Sequence, residues 1–112
     1  MCALKSIKAL CKAGANAHAA GDPVNADFLL HQAYAQAKGL NSPVLEAKIL
    51  NTMAVFAMED KRSKAAIPLL VRALAKVDAR IGRHNKLYSV ISNNLLQAET
   101  AAAIEGASAK AV

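Results

Sequence analysis

Cys11 and His18 stand seven residues apart, so on a helix a thiol and an imidazole would project from one face, two turns apart. Such a pair could begin a metal site, but a bound ion needs further ligands within the same reach. His31 and His84 sit on other segments, without companions at ligand spacing. Glu59 and Asp60 place two carboxylates side by side in a polar turn where a helix ends. His84 and Tyr88, four residues apart, suit packing on a shared face rather than proton transfer. No glycine-rich phosphate loop of the GxxxxGK type occurs, and no nucleophile has a base and an orienting group at a recognisable spacing. The expectation is a protein that is not an enzyme, with no catalytic residue, no metal site and no cofactor.

The other concentration of charged groups is cationic. The chain carries a formal charge of +6, and most of the excess is local. Lys61, Arg62, Lys64, Arg72, Lys76, Arg80, Arg83 and Lys86 are opposed in that stretch only by Asp78. Arg72, Lys76, Arg80 and Arg83 fall at offsets of four, eight and eleven residues, a stripe along one helix face. Such a row can meet successive phosphates, in binding that weakens steeply with salt. No aromatic side chain interleaves with it for base stacking, and no groove-reading motif accompanies it. A solvated face comes first among the readings of this stripe, then an acidic protein surface, then nucleic acid.

Both groups of residues must be positioned by helices. Hydrophobic residues make up 54% of the 112, yet aromatics supply only 4% and there is no Trp, because alanine carries much of the apolar content. Alanine favours helix over sheet, and this length supports one domain. The first helix is expected from about Ala3 to Ala20, followed by Gly21-Asp22-Pro23, which places a glycine past a helix end, a capping aspartate and a first-turn proline. The second runs from about Pro23 to Lys38 and ends at Gly39, and Ser42-Pro43 repeats the cap-plus-proline start. The third runs to about Met58. The fourth ends near Ile81, with Gly82 beyond it, and the fifth begins near Asn85. Pro68 would remove a backbone donor two turns into the fourth helix if that began at Asp60, so either the helix starts late, with Ser63 as its cap, or it is kinked at Pro68, and a late or irregular start is expected. Short connections make sequence neighbours antiparallel. Residues 105–112 have little to bury and are expected to fray.

Two cysteines, Cys2 and Cys11, are too few for a disulfide framework and read as reduced thiols in a cytoplasmic protein. The first twenty residues lack the continuous apolar run of a secretory signal, and no stretch approaches the roughly 20 apolar residues that span a bilayer.

A spacing repeats forty residues apart. Leu10, Ala13, Gly14, Ala17, Ala26, Leu30 and Ala33 are matched by Leu50, Met53, Ala54, Ala57, Ala66, Leu70 and Ala73. Small residues on facing helices allow close approach, and a period near forty marks a helical-repeat array. The pattern resembles the tetratricopeptide repeat (TPR) family. The segments Leu50–Ala54 and Ala66–Leu74 resemble the longer, kinesin-light-chain type of repeat. The likeness covers roughly residues 7–80. Ala17 and Ala57 stand where that family usually has tyrosine, and the period exceeds its common thirty-four.

The resemblance implies an all-α fold, a short right-handed solenoid of antiparallel hairpins over residues 1–104. Repeat one would cover about 3–39 and repeat two about 43–81, with a capping or half-repeat helix at about 85–104. It also implies a concave groove lined by the first helix of each pair, where a peptide or helix of a partner protein lies. Lys8, Cys11 and His18 would face it from the first helix, and Lys48 and Asn51 from the third. The fifth helix has two registers. One matches Ile91, Leu95 and Ala98 to Leu50, Ala54 and Ala57, and the other matches Asn93 to Asn51. Amides can donate to and accept from a peptide backbone, and lysines can hold a carboxylate. The expected function is a non-enzymatic interaction module, an adaptor or chaperone-like scaffold. Its partner is a protein, acidic if the lysines engage it, and self-association runs through the fourth or fifth helix. Leu87, Val90, Ile91, Leu95 and Leu96 span more than one narrow stripe there.

Overall fold

Three connections of three residues each, spaced twenty residues apart, set the frame of the chain. The computed structural model describes the backbone of residues 3–111 and the side chains of residues 3–107, so Cys2 lies outside the described residues. The helices are α1 (Ala3–Ala19), α2 (Pro23–Gly39), α3 (Pro43–Glu59), α4 (Ser63–Ile81) and α5 (Lys86–Ala111). In each of the first three connections the middle residue takes positive φ: Gly21 at 81°, Asn41 at 52° and Lys61 at 62°. The hydrogen bonds repeat as well. The N–H groups of Gly21 and Asp22 donate to the carbonyls of His18 and Ala17, those of Asn41 and Ser42 to Lys38 and Ala37, and those of Lys61 and Arg62 to Met58 and Ala57. One left-handed residue thus closes the orphan carbonyls at each helix end and turns the chain back.

Helix starts follow the expected chemistry only in part. Pro23 and Pro43 open α2 and α3, and Asp22 Oδ1 accepts the Asn25 N–H at 3.1 Å. Ser42 precedes α3 without a side-chain capping bond. Gly39 is not the stop expected of it: it is the last helical residue of α2, and Asn41 makes the reversal. Ser63 is likewise not the cap of α4 but its first helical residue, with Arg62 before it. Pro68 lies inside α4 on the exposed side, where water can reach the carbonyl its missing N–H would have met.

The chain is all-helical among the described residues, and its helices pack as stacked antiparallel hairpins, α1 on α2, α3 on α4, with α5 closing on α4. Most of the doubled spacing lies in the core, with Leu10 and Ala17 only part-buried. Gly14, Ala26, Leu30 and Ala33 are buried, and so are Ala54, Ala66, Leu70 and Ala73 forty residues later. A Cβ on Gly14 would come within 3.1 Å of Leu30 Cγ, so the missing side chain sets how closely α1 approaches α2. Ala13 departs from its counterpart, being exposed where Met53 is buried, because α3 is flanked by α2 and α4 while α1 packs chiefly on α2. Ile91 and Ala98 are fully buried on α5, which selects the register that matches them to the core of α3.

Side chains also link helices that are not sequence neighbours. His18 joins α1 to α3, Asn94 joins α5 to α3, and Arg72 joins α4 to α2. The odd-numbered helices therefore lie side by side in one layer, with α2 and α4 in the other. Cα extents of 52 × 35 × 18 Å fit such a slab, two helices deep. In the segment expected to fray, α5 continues as helix to Ala111 and Glu105 bonds the first residue of α4.

Candidate interaction surfaces

On the odd-helix layer the contacts are polar and specific. The His18 ring lies flat on Phe56, with centroids 4.1 Å apart and planes 3° from parallel. His18 Nε2 meets Glu59 Oε2 at 2.7 Å, and Nδ1 lies 3.9 Å from Asp60 Oδ2. The expected carboxylate pair is therefore a clamp on a histidine from another helix, and the ring lies against α3. Asn51 Oδ1 accepts from Asn94 Nδ2 at 2.9 Å. Asn93, the repeat counterpart of Asn51 in one of the two registers, is exposed, and it is the neighbouring Asn94 that meets Asn51. Burial of Ile91 and Ala98 could have decided this from sequence only if the core face of α5 had been separable from its apolar outer stripe.

Lys8 and Lys48 are exposed on α1 and α3, while Cys11 is half-buried and packs against the core. Burial pushes the Cys11 thiol above its ordinary pKa. Cys11 and His18 thus serve different contacts despite their helical spacing. No group of three or more His, Cys, Asp or Glu side chains able to hold a metal ion occurs among the described residues. No described helix is long and apolar enough to cross a membrane.

The basic residues occupy the other layer. Arg72, Lys76 and Arg80 lie along α4, but Arg83 does not continue the stripe: it follows Gly82, outside the helix, and folds back. Its Nε donates to Asp78 Oδ2 at 3.1 Å, and its guanidinium lies 6.0 Å from the Tyr88 ring. Arg72 Nη2 donates to the Tyr34 hydroxyl at 3.0 Å, and Lys76 Nζ donates to Glu46 Oε1 at 3.2 Å. Glu46 is almost wholly buried and is the single carboxylate bonded by this row. Sequence reasoning also missed Tyr34, which gathers Lys38, Arg72 and Lys76 within 5.6–6.0 Å of its ring.

A third surface is apolar. Leu96 and Ile104 are about two-thirds exposed on α5, with Gln97, Thr100 and Ala101 completing a shallow depression of about 360 Å³. A larger one of about 530 Å³ lies among Pro23, Val24, Asp27, Asp60 and Arg62, near the His18 clamp.

No family model, curated protein or solved structure matches this chain.

Proposed function

We propose that this protein is a non-enzymatic, TPR-like interaction module that docks a peptide or helix of a partner protein across the odd-helix layer, in the cytoplasm. The observation that carries this reading is the lateral joining of α1, α3 and α5. His18 on Phe56 and Asn51 on Asn94 tie the two hairpins and α5 together along one face. Across that face Lys8 and Lys48 offer exposed donors, flanked by the half-buried Cys11 and Asn51. Rigid helices hold such groups at fixed separations, which limits the ordering cost of binding an extended or helical segment. Reduced Cys11, shielded by packing, suits a reducing compartment.

The test is retention of partners from native extract by the wild-type chain and by two charge-reversed variants. Loss of a salt-resistant protein partner in Lys8→Glu/Lys48→Glu, with retention in Arg80→Glu, supports the odd-helix face. Equal retention by all three overturns it.

The outer side of α5 supports a second reading, self-association, because Leu96 and Ile104 stand exposed there. Sedimentation at high concentration tests it: a strict monomer rules it out, and a dimer abolished by Leu96→Glu supports it.

A further inference from the structure

We infer that the exposed side of α4 is a second docking strip, whose occupant is an acidic amphipathic helix of a partner protein. Pro68, Val71, Ala75 and Ala79 are all exposed on α4 at spacings of three and four residues, which makes a smooth ridge of apolar side chains. Beside it run Arg72, Lys76 and Arg80 at intervals of four. Pro43, at the first turn of α3, joins Ala75, Lys76, Ala79 and Arg80 around an open depression of about 390 Å³ between the two helices. Small residues at the floor let a second helix approach closely, while the cations border it.

Charge decides the class of partner. Lys38, Arg72 and Lys76 crowd around Tyr34, and Arg80 continues the row. Against these four cations stands the one carboxylate of Glu46, already bonded to Lys76. Asp78, also on α4, is engaged by Arg83. The surplus positive charge is held at close quarters by the fold, and an acidic partner relieves the repulsion as it binds.

Spacing decides the form of the partner. Cations four residues apart on a helix advance by about 6 Å per step, and carboxylates at the same interval on a second helix advance equally, so Arg72 and Arg80 can each meet a carboxylate in register while Lys76 stays on Glu46. Nucleic acid fits less well. Binding bases would call for an open aromatic face. The one aromatic beside the row, Tyr34, has its hydroxyl bonded by Arg72 and its ring approached by three cations. This inference does not depend on the odd-helix reading, since it uses the opposite layer.

The test uses the full chain and a fluorescent synthetic peptide of about 18 residues, with Glu at every fourth position and Leu beside it, long enough to sample helix. Two further probes are the same peptide with Gln for Glu, and a single-stranded oligothymidine. Anisotropy titrations should show salt-sensitive binding of the acidic peptide and no binding of the Gln peptide. Arg80→Glu should weaken the acidic peptide about tenfold, whereas Lys12→Glu, an equal charge change on exposed α1, should change it less than about twofold. Ala75→Trp adds no charge but obstructs the floor, and should also cost about tenfold. Circular dichroism on each variant verifies that it is folded. Equal weakening by Lys12→Glu and Arg80→Glu overturns the inference in favour of net-charge attraction. Tighter binding of oligothymidine overturns it in favour of phosphate recognition, and absence of peptide binding refutes it outright.

Discussion

The carboxylate of Glu105 accepts both the backbone N–H of Ser63, at 3.1 Å, and the Ser63 hydroxyl, at 2.5 Å, across 42 residues of sequence. Ser63 is wholly buried and is the first helical residue of α4, so the end of α5 supplies the cap that Arg62 does not. An anion there also opposes the positive end of the α4 dipole.

These bonds hold the Glu105 carboxyl below its ordinary pKa of 4.5, chiefly through the Ser63 hydroxyl and amide and secondarily through the charge of Lys61. A carboxyl whose folded pKa is depressed stabilises the fold above its unfolded pKa and loses that contribution as pH falls through the folded value. Glu105→Gln keeps an acceptor but removes the charge. The variant should melt below wild type at pH 7, and the gap should close on acidification below about pH 4, near the ordinary carboxyl range. Parallel melting temperatures across this range would show that Glu105 contributes nothing through its charge.

Lys61 adopts φ of 62° at a position equivalent to Gly21, where a side chain crowds the carbonyl that follows. Lys61→Gly should therefore stabilise the protein by about 0.5–1 kcal/mol in urea titrations, net of the added freedom of glycine in the unfolded chain. Gly21→Ala should cost about 1 kcal/mol by the same argument in reverse. A loss in Lys61→Gly would mean that its proximity to Glu105 outweighs the backbone strain.

Gly14 and Gly39, both within helices, should respond oppositely to alanine. Nothing lies within 4 Å of a Cβ built on Gly39, so Gly39→Ala should gain about 0.5–1 kcal/mol from helix propensity. At Gly14 the new methyl meets Leu30 Cγ at 3.1 Å and Cδ2 at 3.3 Å, and Leu30 is itself 1% exposed. Crowding of this kind costs about 1–3 kcal/mol and exceeds the propensity gain, so Gly14→Ala should lose about 1 kcal/mol. A stabilised Gly14→Ala would show that α1 and α2 can separate freely.

The starts of α2 and α3 were legible because proline and glycine act locally: Gly21, Pro23 and Pro43 state their backbone geometry without reference to the rest of the fold. The core of the paired helices was legible because the forty-residue spacing placed Leu30 and Leu70, with their small neighbours, on faces that proved buried. Contacts over long separations were not. Nothing in Glu105 or Ser63 announces their pairing, because capping at a distance depends on where α5 ends relative to α4. The left-handed backbone of Lys61 and Asn41 was not legible, since that region is unusual for one and only tolerated by the other. Asn51 was expected to face a groove, with Asn93 as its counterpart in one register, but it bonds Asn94 across to α5. A single-residue step around a helix turns a side chain by 100°, and α5 carries apolar residues on too many faces for sequence to fix that angle.

The Asn51–Asn94 bond is part-buried and is the polar tie between α3 and α5. Replacing either residue by alanine leaves the other amide short of a partner and should cost about 1–2 kcal/mol. Asn51→Ala/Asn94→Ala should be less damaging than the sum, with a coupling of about 1 kcal/mol from the double-mutant cycle. Strict additivity would mean that water replaces the lost partner without penalty.

Cys11 tests how tightly the odd-helix face is packed. Its thiol is raised above the ordinary 9.0 by burial, and it contacts the core from α1. Only the thiolate attacks an alkylating agent, so a raised pKa and partial cover both slow the reaction at neutral pH. In a Cys2→Ser background, Cys11 should react with iodoacetamide about tenfold more slowly than an unstructured cysteine peptide, and the gap should vanish in denaturant. If a partner lies across α1 as proposed, bound protein should react more slowly still, because the occupant covers the remaining accessible edge. A Cys11 that reacts at the rate of the free peptide in the folded state would show α1 opening from the slab, and the rigid face required for docking would be lost with it.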